Sequence, residues 1–122
     1  MTNSGPQTIV LSDPLVVDLV IYRGDSGGFR ITAKNPYGGP IDISEATWDS
    51  DIRVNETDTA VVTSFDITPV VGDVSSIDAV LTPEKSALLN SSCVYDIEMT
   101  LDGKVLTLIR GVITVTQDVS RT

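Results

Sequence analysis

The sequence predicts an all-β fold: a single antiparallel β-sandwich of about seven strands, immunoglobulin-like, with one short helix near Pro83–Leu89. Three observations carry this expectation. Apolar and polar residues alternate with period two in several segments, as half-buried strands require. Turn residues punctuate the chain at spacings of about ten residues. Only one segment carries the chemistry of a helix start. The chain has 122 residues, 41% hydrophobic and 20% charged, which suits one globular domain with enough Val, Ile and Leu to form a core.

Residues 1–14 read as a flexible N-terminal arm and residues 15–122 as the sandwich domain. Within the arm, Ile9-Val10-Leu11 is a short apolar run that Pro14 ends. Leu15 to Tyr22 is rich in Val and Ile and reads as the first strand, closed by the Gly24–Gly28 turn. Phe29 to Lys34 alternates, with Phe29, Ile31 and Ala33 inward. Asn35 to Pro40 is a turn cluster. Ala46 to Val54 places Trp48, Ser50 and Ile52 on one face and Asp49, Asp51 and Arg53 on the other. Ala60 to Ile67 follows, with Val61, Phe65 and Ile67 inward, then a loop from Thr68 to Ser75. Ser76 to Leu81 is a short strand. Thr82 suits an N-cap, Pro83 the first helical position and Glu84 the positive end of the dipole, so one or two helical turns start here, with Leu88 and Leu89 inward. Cys93 to Leu101 alternates, Asp102-Gly103 is the strongest hairpin turn in the chain, and the last strand runs from Lys104 to about Thr116.

Composition narrows the function. Eight Lys and Arg stand against 17 Asp and Glu, giving a net charge of −9. A surface this acidic repels phosphates, so neither nucleic acid nor an anionic membrane is an expected partner. No histidine is present, which removes His-based acid–base catalysis, Ser-His-Asp or Cys-His nucleophiles and His-ligated metals. One cysteine, Cys93, rules out an intrachain disulfide and reads as a small buried hydrophobe. Met1 to Gln7 carries no Lys or Arg and lacks the features of a signal peptide, so a soluble cytoplasmic product is expected. The composition favours a structural or binding module over an enzyme, with no cofactor, no metal and no small-molecule substrate.

Several motifs have ordinary structural readings. Gly24-Asp25-Ser26-Gly27-Gly28 matches the nucleophile motif of trypsin-like proteases, but Ser26 has no histidine base in this chain, so the segment reads as a glycine-rich turn. Arg23-Gly24-Asp25 matches an adhesion tripeptide too short to be specific. Asp49, Asp51, Glu56 and Asp58 crowd one hairpin without the spacing of a calcium loop, and read as solvated charge. Trp48 reads as a core anchor, and Tyr37 as a local lid in its turn.

The first and last strands are more informative, because both carry apolar residues on both faces. Leu15, Val17, Leu19 and Ile21 share one face of the first strand, with Val16, Val20 and Tyr22 opposite. In the last strand, Val105, Ile109, Ile113 and Val115 share a face, with Leu106, Leu108 and Val112 opposite. A sandwich strand needs only one apolar face. The outward set Val16, Val20, Leu106, Leu108 and Val112 is therefore the expected protein–protein interface. The competing expectation is that the N-terminal arm or the helical segment covers these residues within the chain.

A family resemblance rests on Tyr22-Arg23-Gly24-Asp25, on Gly39-Pro40-Ile41-Asp42-Ile43-Ser44-Glu45-Ala46-Thr47-Trp48, on Leu81-Thr82-Pro83-Glu84, on Tyr95-Asp96-Ile97 and on Gly111-Val112-Ile113-Thr114-Val115. The chain resembles the small β-sandwich domain of tailed-bacteriophage virion proteins from about residue 15 to 119. It is similar to the N-terminal domain of baseplate upper proteins and to the collar proteins that anchor long tail fibres. Glu45 departs from the pattern, standing where a glycine is common. The resemblance implies a non-enzymatic virion protein, located in the virion after synthesis in the host cytoplasm. It implies contacts with further copies of itself and with other virion proteins at a tail collar, tip or baseplate, and no catalytic residues. The bare domain without a fibre-binding continuation is expected. The alternatives are a head-decoration or other capsid-associated protein, and a monomeric sandwich that binds carbohydrate or a cell surface.

Overall fold

The computed structural model describes residues 15–116 and the backbone of residues 7–10. In chain order its elements are β1 (Gln7–Val10), β2 (Leu15–Val16), β3 (Leu19–Tyr22), β4 (Gly27–Lys34), β5 (Thr47–Arg53), β6 (Asp66–Val70), β7 (Asp73–Leu81), α1 (Pro83–Ser86), β8 (Cys93–Leu101) and β9 (Lys104–Thr116). One sheet has the order β1-β4-β7-β6, and the other β2-β9-β8-β5, with β3 continuing β2 along the same side of β9. The two sheets face each other with β4-β7-β6 across from β9-β8-β5. This is the Greek-key order of an immunoglobulin-like sandwich.

The core comes from the inward positions of both sheets. Ile31, Ala79 and Leu81 from one sheet and Ile52, Ile97, Met99, Ile109 and Ile113 from the other are fully buried. Each large apolar side chain contributes roughly 1.5–3 kcal/mol by leaving water. Phe29, Phe65 and Tyr95 pack edge to face across the sandwich, with ring centroids 5.9, 6.3 and 5.3 Å apart. The β8–β9 hairpin turns at Asp102-Gly103 with φ of 53° and 78°, the two positive values that a type I′ turn needs.

Four features depart from the sequence expectations. Part of the expected arm is a strand: β1 pairs parallel with β4, Gln7 opposite Ile31 through Val10 opposite Lys34. Residues 1–6 and 11–14 of that arm, and 117–122, lie outside the described residues. The sandwich is not purely antiparallel, because β2 and β3 also run parallel to β9. The strand expected over Ala60–Ile67 is displaced to Asp66–Val70, leaving a single bridge, Thr63 to Ile52, upstream of it. Val61 is exposed there, whereas Phe65 is buried. Pro69 argued for a loop, yet β6 is an edge strand that tolerates a missing N–H, and Gly72 at φ 83° closes a tight turn into β7. Finally, α1 is one turn, as expected, capped by the Lys85 N–H donating to Thr82 Oγ1 at 3.3 Å, and the departure lies in the two leucines after it. Its Leu89 follows inward and is fully buried, but Leu88 points to solvent.

Candidate interaction face

The outer face of the β2/β3-β9-β8-β5 sheet is where the expected interface residues belong, and β9 decides which of them reach it. Against β8, Ile97 faces Ile109 but Glu98 faces Thr107, so Leu108 is an extra residue in β9. Such a bulge bends the strand and resets its alternation. Leu108 and Ile109 consequently both point inward, and Leu108 is 4% exposed. Leu106, upstream of the bulge and opposite Met99, lies half-buried against the core. The expectation that Leu106 and Leu108 face outward is therefore corrected: both belong to the core side. Val16, Val20 and Val112 do face outward, at 58, 49 and 43% exposure, and Tyr22 joins them.

Val16, Val20 and Tyr22 sit on an edge strand built around a break, and Val112 on β9 beside it. Between β2 and β3 the Val17 N–H donates to the Arg110 carbonyl at 2.9 Å, but the Val17 carbonyl turns into the core and accepts the Tyr95 hydroxyl at 2.5 Å. The Asp18 carboxylate takes over the ladder and accepts the Val112 N–H at 3.0 Å. Only glycine fits beneath this crossing, since a Cβ on Gly111 would lie 2.0 Å from the Val17 oxygen. Burial, and secondarily the Asp18 charge, push the Tyr95 phenol well above its usual range, so it stays a donor. Arg23 N–H bonds the Thr116 carbonyl, so odd-numbered residues of β3 direct their backbone toward β9. The backbone groups of Val20 therefore project from an edge that no other strand covers among the described residues.

The other half of the face is acidic. Asp51 lies directly opposite Asp96, and Asp49 opposite Glu98. Like charges opposed across a ladder are destabilising. Arg53 holds Asp51 at 2.8 Å, and Arg110 of β9 stands opposite Asp96. Partial burial, then the Asp51 charge, raise the Asp96 carboxyl above its ordinary range. A depression of about 580 Å³ bounded by Val16, Asp18, Asp96, Arg110 and Val112 joins the two halves.

The other residues singled out in the sequence take structural places. Ser26 is exposed in the β3–β4 turn. That turn is tied to α1 by the Gly24 N–H donating to Ser86 Oγ at 2.8 Å and by Arg23 Nε donating to the Ala87 carbonyl at 3.2 Å, which occupies the arginine of the adhesion tripeptide. Asp58 accepts the Asn55 N–H within its own turn, while Asp49 and Asp51 lie on the outer face of β5. Cys93 is buried, and burial pushes its thiol up. Tyr37 is exposed rather than a lid, and Trp48 is half-buried at the sandwich margin rather than in its centre. The roles of Asp18 and Tyr95 have no local sequence signal, because each is defined by a partner far along the chain. No protein-family model matches the chain, and no curated protein matches it.

Proposed function

We propose that this chain is a non-enzymatic structural module that works by assembly, and that its specific form is a tailed-phage virion component at a tail collar, tip or baseplate. The observation that carries the reading is the row of Val16, Val20, Tyr22 and Val112, exposed beside an edge of β3 that is open among the described residues. Edge strands of free-standing proteins are usually blocked by an outward charge or a proline. In this edge the one charge between Leu15 and Tyr22 is Asp18, and it is drawn onto the Val112 N–H. The three valines are each about half exposed, so covering them in a contact contributes on the order of 2–4 kcal/mol. The virion form is supported by the sequence resemblance, and the absence of histidine supports a non-catalytic role.

Light scattering across a concentration series tests the association. The wild type is expected above the mass of one 13.0 kDa copy, and Val16→Ser/Val20→Ser/Val112→Ser is expected to stay at that mass and still unfold cooperatively, with a melting temperature that no longer depends on concentration. A wild type that remains a single copy at every concentration removes self-association. The virion form is tested by probing purified phage particles for the chain, and its absence from them overturns that placement.

A further inference from the structure

We propose that the cleft between β5 and β6 accepts an added β-strand from a partner chain, one whose side chains alternate between apolar and cationic. This surface lies at the opposite edge of the sheet from β3, so the proposal stands apart from the assembly reading.

The first observation is how the free side of β5 is covered. At Ile52 a neighbouring segment pairs fully: the Ile52 N–H donates to the Thr63 carbonyl at 2.9 Å and the Val62 N–H to the Ile52 carbonyl at 2.8 Å. At Ser50 only the side chain is engaged, by the Phe65 N–H at 3.2 Å. At Trp48 no such bond exists among the described residues, and from Asp66 onward the neighbouring segment belongs to the other sheet. The two segments diverge like the sides of a wedge. Because Ile52 uses its backbone on this side, Ser50 and Trp48, at two-residue intervals, direct theirs the same way.

The second observation is what lines the wedge. Trp48, Phe65 and Ile67 form its apolar wall. Trp48 also borders an adjoining cleft of about 490 Å³ lined by Ile43, Val74 and Ile77. A strand laid along β5 would place the residues opposite Trp48 and Ser50 into these clefts, so they should be apolar. Residues opposite Thr47 and Asp49 would share the outer face, beside the Asp49 carboxylate and close to Asp51, Asp96 and Glu98. Asp51 is held by Arg53, whereas Asp49 has no ion partner among the described residues. Those positions call for Lys or Arg. The same charges select against a second copy, since pairing β5 with β5 would oppose Asp49 and Asp51 to themselves. Strand addition at a sheet edge, with main-chain bonds for affinity and alternate pockets for specificity, is an established recognition mode.

The test uses the intact chain and a short synthetic peptide in which lysine and valine alternate. Trp48 is the only tryptophan, so its fluorescence reports the site directly. Saturable binding should shift Trp48 emission to the blue and slow amide exchange at Trp48 and Ser50 by about tenfold or more. Asp49→Lys should weaken binding about tenfold, equivalent to roughly 1.4 kcal/mol, without lowering the melting temperature, since the new lysine faces Glu98. The peptide with alternate backbone nitrogens methylated, and the peptide with glutamate for lysine, should not bind. Equal binding of the methylated peptide, amide shifts centred on Val16, Val20 and Val112, or no saturable change at millimolar peptide would each overturn the proposal.

Discussion

In β3 strict alternation survives folding: Leu19 and Ile21 are buried, while Val20 and Tyr22 are exposed. In its neighbour β9 it does not, since Leu108 and Ile109 are adjacent and both buried. The two strands pair along one ladder and carry comparable apolar content. The difference is one inserted residue opposite β8, which sends the even-numbered residues inward before the bulge and the odd-numbered ones after it. An apolar residue on the apparent outer face of a strand is thus a surface feature only where the register is unbroken.

The sharpest test of this contrast is Leu108→Ser. The residue reads from the sequence as surface, but its removal should cost on the order of 4 kcal/mol through cavity formation and an unmet hydroxyl, measured by urea unfolding. A loss below about 0.5 kcal/mol would place Leu108 outside the core. Next is Gly111→Ala, whose methyl would collide with the Val17 carbonyl. It should cost about 2 kcal/mol and lower amide protection selectively in β2 and β3. Uniform loss of protection across both sheets would show that the β2/β3 break does not act locally. Tyr95→Phe keeps the ring packing but leaves the Val17 oxygen without its donor, at a cost of about 1–2 kcal/mol. The smallest effect belongs to Val20→Ser, which should stay within about 0.5 kcal/mol of wild type. A large destabilisation there would mean that Val20, like Leu108, is a core residue despite its place in the alternation.

Much of this architecture follows from local chemistry. Alternation in Phe29–Lys34 and Cys93–Leu101, the Asp102-Gly103 turn and the Thr82-Pro83-Glu84 helix start each carry their own signal, and each holds in the fold. The features that escape the sequence depend on a distant partner. The bulge at Leu108 exists only against β8, and β6 is a strand only because β7 lies beside it despite Pro69. Val16, Val20 and Val112 were legible as outward because their segments keep register with each other. Trp48 was legible as facing the interior, but not as the wall of an edge cleft, because that depends on where the chain leaves β5 for the other sheet.

The parallel pairing of β2 and β3 with β9 also sets an order of events during synthesis. The β8–β9 hairpin closes across a two-residue turn, whereas Asp18 meets Val112 across 94 residues and Tyr95 meets Val17 across 78. Short closures precede long ones, because the entropy of bringing two points together grows with the chain between them. While the chain emerges from the ribosome, Leu15 to Tyr22 must wait for almost the whole sequence before its partner exists. For that interval it is a run of β-forming apolar residues with a free backbone, the kind of segment that seeds aggregation. Asp18 interrupts the run at its middle. The carboxylate that later completes the β9 ladder thus first serves as a gatekeeper for the nascent chain. Ribosome-held chains ending before β9 should show this stretch open to proteolysis, and protection there would mean that another segment shelters it first.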